Sequence, residues 1–130
     1  MPVALSGGMA AQRLRLVIFQ MGPASWIVRG LEHDIVAEGT TIGGAVRAAV
    51  RFIDAQVAFD VRHAHSPLSV FPPASQRYWN AFTAGTAVSI AQLGVAPPDG
   101  WDMQAAFATR LPSEEYQRRT PHLVPQAMVG

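Results

Sequence analysis

Over residues 13–21 the chain reads "RLRLVIFQM", with Leu14, Leu16 and Ile18 on one side and Arg15, Val17 and Phe19 on the other. Two-residue alternation in branched and aromatic side chains predicts a β-strand, here with both faces partly apolar. "GPAS" then supplies a turn, and "WIVRG" and "DIVAEG" predict two more short strands separated by residues 31–33. Three consecutive strands with short connections predict an antiparallel meander.

At Thr41 the period changes. Ile42, Ala45, Val46, Ala49, Ile53, Gln56 and Val57 fall on one helical face, and Arg47, Arg51, Asp54 and Arg62 point away. A helix of about twenty residues follows, with Thr40 or Thr41 as its N-cap because a hydroxyl there accepts from the free amides of the first turn. Gly43 and Gly44 are poor helix formers in that turn, which calls for close packing or an anion. "HAHSPLSVFPPAS", residues 63–75, is a Pro-rich connector that cannot continue the helix. A shorter helix is expected from Ser75, ending at Gly85 as a left-handed C-cap. "TAVSIAQLGV" reads as strand or short helix, and "WDMQAAFATRL" is equally undecided. "PSEEYQRR" reads as a capped helical turn, and "TPHLVPQAMVG" as a ragged tail.

One long helix covers one face of a three-stranded sheet. Val17, Phe19 and Ile27 or Trp26 on the other face are therefore expected to meet the C-terminal segment or a second subunit. Composition sharpens this: 49% of the 130 residues are hydrophobic and 15% charged, which describes a packed chain with apolar surface to spare. A net charge of +1 does not point to nucleic acid, and all ten basic residues are Arg. Without cysteine, the chain has no disulfide, thiol or cysteine-zinc chemistry. The N-terminal 21 residues lack a basic start before their apolar run, and that run is too short for a membrane span, so a cytoplasmic protein is expected.

Two polar clusters bear on chemistry. "DVRHAH", residues 60–65, offers a carboxylate and two imidazoles, the donor types of a transition-metal site, but it also fits a surface His pair at a helix C-terminus. "EHD", residues 32–34, crowds two acids about one imidazole, which suits acid-base work or merely a polar turn. No nucleophile elbow, phosphate loop, metalloprotease motif or dinucleotide fingerprint is present. A metal-dependent nuclease or hydrolase would have to draw on Asp34, Glu38, Asp54, Asp60, His63 and His65.

The order strand, strand, strand, then Gly39-x-Thr41-x-x-x-Ala45 opening a long helix, resembles the HicB-like antitoxins of bacterial toxin-antitoxin pairs. "SWIVRGL", "DIVAEGTT" and "IGGAVRAAVRFI" carry the resemblance, and "PLSVFPPASQRYWNAF" is similar to the Pro-rich link and Tyr-Trp helix of one subgroup. Gly43 and Gly44 stand where family members often carry an acidic pair, and "LEHD" where they carry a Pro-Gly loop. The resemblance implies an α+β fold of the partial ribonuclease-H-like type, β-β-β-α. It also implies a dimer that blocks an RNA-cleaving toxin by protein contact, without catalysis, cofactor or metal. Repression of its own operon would need a DNA-binding segment, and no helix-turn-helix pattern follows Phe82, where Arg110, Arg118 and Arg119 are the basic residues.

The sequence thus predicts a loose N-terminus over residues 1–12, a HicB-like domain with a second helix over 13–85, and a mixed C-terminal extension over 86–130. Its function is expected to be inhibition of a small nuclease or other bacterial or phage-related partner, with Trp26, Arg29, Glu32, His33, Arg47 and Arg51 at the partner surface. The alternatives are a metal-dependent hydrolase and a transcriptional regulator.

Overall fold

The alternation that opens the chain becomes its central strand. In the computed structural model, which describes residues 12–110, β1 (Gln12–Gly22) lies in the middle of a five-stranded sheet. The expectations for the first eleven residues, for "PSEEYQRR" and for the tail lie outside the described residues. On one side β1 pairs antiparallel with β2 (Ser25–Gly30), which pairs antiparallel with β3 (Val36–Gly39). On the other side it pairs in parallel with β5 (Trp101–Phe107), and β4 (Thr86–Val88) closes that edge antiparallel to β5. The helices are α1 (Ile42–Arg62) and α2 (Gln76–Ala84).

The chain is therefore α+β, with a mixed sheet in the order β3-β2-β1-β5-β4 and two helices. Three strands were expected; the two additional ones come from the segment whose hydropathy left helix and strand undecided. In β5 the register decides, with Leu14 beside Met103, Leu16 beside Ala105 and Ile18 beside Phe107. Among the described residues no helix is long and apolar enough to cross a membrane.

Alternation sorts the side chains of the sheet into two cores. Leu14, Leu16, Ile18, Val28, Trp101, Met103 and Ala105 meet Ala45, Val46, Ala49 and Ile53 of α1, with Leu68, Ile90 and Val95 filling in from the connectors. Val17 and Phe19 point the other way and meet Leu31, Ala74, Tyr78 and Ala108, with Trp79 and Phe82 half-buried over them. Among the described residues, Val17 and Phe19 on the second face of the sheet are thus covered by α2 together with Ala108 of the C-terminal extension.

Local chemistry fixes the ends of the elements. Thr41 is the N-cap of α1, its hydroxyl accepting from the Gly44 amide at 2.9 Å. Close packing does not account for Gly43, since a Cβ there would make only ordinary contact, 3.5 Å from the Leu93 carbonyl oxygen. At the other end, Ala64 takes the left-handed conformation (φ 59°). His65 N–H then reaches back to the Asp60 carbonyl and Ala64 N–H to that of Val61, the Schellman pattern with alanine where glycine is usual. The Asp60 side chain, 2% exposed, accepts from Gln56 Nε2 at 3.1 Å and from the Leu68 amide at 2.8 Å, holding the connector against the end of the helix.

Gly85 corrects an expectation. It follows α2 in extended conformation (φ −83°, ψ −178°), not left-handed. Its lack of a side chain serves close approach, because a Cβ would lie 2.7 Å from the Phe107 carbonyl oxygen.

These two sites predict opposite outcomes in chemical denaturation. Ala64→Gly relieves a left-handed alanine against a smaller gain in unfolded-chain entropy, and should stabilise by about 0.5–1 kcal/mol. Gly85→Ala should destabilise by about 1–3 kcal/mol through overpacking against β5.

Candidate functional site

Arg29 occupies an apolar face. Directly across β1 from it is Val17, and Ile27, two residues back on the same side, faces Phe19, so the arginine points into the core beneath α2. It is 1% exposed. Its Nε and Nη2 donate to Oδ1 and Oδ2 of Asp34 at 2.8 and 3.1 Å, and Nη1 donates to the Tyr78 hydroxyl at 3.2 Å. The guanidinium carbon lies 4.2 Å from the centroid of the Tyr78 ring. A bidentate carboxylate and an aromatic face are what a planar cation needs to leave water.

A second arginine repeats the arrangement closer to solvent. Arg15 Nε donates to Glu32 Oε2 at 2.7 Å, the Arg15 amide donates to Oε1 at 2.7 Å, and the guanidinium lies 4.9 Å from the Trp79 ring centroid. Strand, β2–β3 turn and α2 each contribute one member to both stacks. The two acids of "EHD" are thus turned away from the imidazole between them. His33 instead places Nδ1 3.3 Å from the Phe71 carbonyl oxygen and meets Trp101 edge to face at 6.3 Å.

The six residues expected at a partner surface do not form one patch. Trp26 is half-buried on the α1 side of the sheet, its ring 5.9 Å from that of Phe107. Glu32 and His33 belong to the turn just described. Arg47 and Arg51 are exposed on α1. Arg29 was expected to face outward, and the structure corrects this: it is enclosed and its donors are used within the fold.

The acids and histidines proposed for metal chemistry are also dispersed. Asp34 and Asp60 have the structural roles given above, and Glu38 and Asp54 are exposed on different elements. His63 and His65 are exposed, with ring centroids 6.2 Å apart. The described residues contain no group of three or more His, Cys, Asp or Glu that could hold a metal ion.

What the structure does assemble is an open groove of about 660 Å³ between α2 and the β4–β5 edge. Trp79, Phe82 and Thr83 form one wall, the segment 87–91 the other, and Arg15, Gln104 and Ala106 the floor. Pairing of β4 with β5 is confined to residues 105–107, so among the described residues the stretch 101–104 has no strand beyond it. Sequence reasoning placed Arg15 on the strand face shared by Val17 and Phe19, and that was the one available signal. Nothing local in the sequence brings residues 79–83, 87–91 and 104 together.

Comparison with known protein families, with curated proteins and with solved structures finds no match for this chain.

The two arginine stacks differ in burial, and their removal should differ accordingly. Asp34→Ala leaves an enclosed guanidinium uncompensated and should cost roughly 2–4 kcal/mol in a urea titration. Glu32→Ala acts on a pair that water already reaches (31% and 20% side-chain exposure) and should cost about 1 kcal/mol.

Proposed function

We propose that the protein is a non-catalytic binding protein of the HicB-like antitoxin type, which inhibits a partner in the bacterial cytoplasm by protein-protein contact. The β-β-β-α order of β1, β2, β3 and α1 agrees with the fold that this resemblance implies. The observation that carries the reading is the groove beside the free stretch of β5. An extended segment of a partner can add to a sheet edge through its backbone and set alternate side chains into an adjoining apolar recess. Here the recess offers Trp79 and Phe82 for packing, and Gln104 and the held guanidinium of Arg15 for polar contacts. The partner class that the resemblance supplies is a small RNA-cleaving toxin.

The commitment of Asp34 and Asp60 to structural hydrogen bonds also supports contact over catalysis. A catalytic carboxylate has to be free to bind a metal or move a proton. Arg47 and Arg51, outward on α1, stay available for a partner that reaches around the domain.

The test is cross-linking capture from bacterial cells, comparing the wild-type chain with the double variant Thr83→Trp and Gln104→Arg, both exposed groove positions. A discrete protein enriched by the wild type should fall at least tenfold with the filled groove, while the circular dichroism spectrum and Tm stay the same. Equal capture by both chains would exclude the groove, and turnover of RNA by the purified wild-type protein would overturn the non-catalytic reading.

A further inference from the structure

Tyr78 and Trp79 are neighbours on α2 and each covers one arginine, yet they leave the two cations differently served. Arg29 has every nitrogen engaged, Nε and Nη2 by Asp34 and Nη1 by the Tyr78 hydroxyl. Arg15 has a tryptophan where Arg29 has a tyrosine, and an indole offers no acceptor oxygen. Its N–H is committed elsewhere, donating to the Ala74 carbonyl at 3.1 Å. Glu32 bonds Arg15 through the backbone amide and Nε, both at 2.7 Å. Among the described residues no acceptor serves Nη1 or Nη2 of Arg15, so the outer fork of this guanidinium is unused.

Arg15 lies on the floor of the groove, and of the residues lining that groove it alone carries a charge. Its side chain is 31% exposed, so solvent reaches the fork while the groove stands open. An occupant that covers Arg15 takes that solvent away, and a buried donor left without an acceptor costs about 1–3 kcal/mol. Purely apolar packing is therefore penalised. A carboxylate is favoured, because its two oxygens meet both nitrogens of the fork in one plane.

We propose, resting on the reading of the groove as a protein-binding site, that Arg15 sets its specificity. The groove takes an extended protein segment with a glutamate or aspartate side chain against the Nη1–Nη2 fork and a large apolar side chain against Trp79 and Phe82. On an extended chain, side chains two residues apart point the same way and stand about 6.6 Å from each other, so both can enter one recess. Glu32 balances the charge of Arg15 before binding, so the acid is recognised by hydrogen bonds at contact and not by a long-range field. Glu32 and the Trp79 ring, 4.9 Å from the guanidinium carbon, also hold the fork in place, which lowers the ordering cost on contact.

The test is selection of short random peptides from a displayed library on the full chain, in parallel with Arg15→Gln, Arg15→Lys and Thr83→Trp, each checked for folding by circular dichroism. The wild type should enrich a consensus with one acidic position and an apolar residue two places from it. Arg15→Gln should lose the acidic position, and Arg15→Lys should not restore it, because an ammonium keeps the charge but not the fork. For one selected peptide, changing its acid to the amide and Arg15→Gln should each weaken binding about tenfold or more, and together no further than either alone. A consensus without an acid, an acid preference that survives in Arg15→Gln, or losses that add would overturn the proposal and leave the groove a binding site. Enrichment of the same peptides by Thr83→Trp, which narrows the groove, or no wild-type consensus at all, would remove the reading of the groove and the proposal with it.

Discussion

A guanidinium cannot shed its proton, so an arginine placed on the inner face of a sheet obliges the fold to bring it a carboxylate and a cover. Arg29 receives both: Asp34 from five residues on, and Tyr78 from forty-nine residues on. That single requirement ties the β2–β3 turn to α2 across the second face of the sheet. Around it the backbone is stitched in the same sense, with Asp34 N–H to the Pro72 carbonyl at 2.7 Å and Ala74 N–H to that of Leu31 at 2.8 Å. A buried ion pair adds little net stability relative to apolar packing of the same volume, but it penalises every arrangement in which its partners are apart. In this chain it makes α2 lie where it does.

The groove is what that closure leaves over. With α2 anchored by Tyr78, its neighbours Trp79 and Phe82 overhang the sheet and become one wall of the groove, and Arg15, oriented by Glu32, becomes part of its floor. With Val17 and Phe19 packed under α2, exposed apolar side chains remain on the flank of α1, where Phe52 and Phe59 reach solvent. These two acids are part of the architecture: Asp34, half-buried, pairs with Arg29, and the buried Asp60 holds the connector through the Leu68 amide. The carboxylates that looked most like chemistry are those the fold uses to hold itself together.

Much of this was legible in the sequence where pattern and propensity agree. β1, α1 with its Thr41 cap, and α2 beginning after Ser75 follow from period and turn residues, and Ala45, Val46, Ala49 and Ile53 of the expected α1 face are buried, whereas Asp60 is buried and Phe52 and Phe59 are exposed. β5 was not legible because two signals compete. Trp101, Met103 and Ala105 alternate with Asp102 and Gln104 as a strand should, while Met, Gln and Ala favour helix; only the parallel register beside β1 decides. The inward turn of Arg29 was hidden for a different reason. An arginine in a short strand reads as a solvent-facing residue, and its principal cover, Tyr78, lies beyond a helix and a Pro-rich connector. The groove combines segments that no local pattern relates.

Native-state hydrogen exchange resolved by residue tests most directly the claim that α2 closes the second face around Arg29. The amides of α2 beyond its first turn should open with a free energy close to that of the central residues of β1, and in an Arg29→Met variant that value should fall for α2 and for residues 31–34 before it falls for β1 or α1. Exchange of α2 at rates near those of a free peptide in the wild-type protein, with β1 fully protected, would contradict the account.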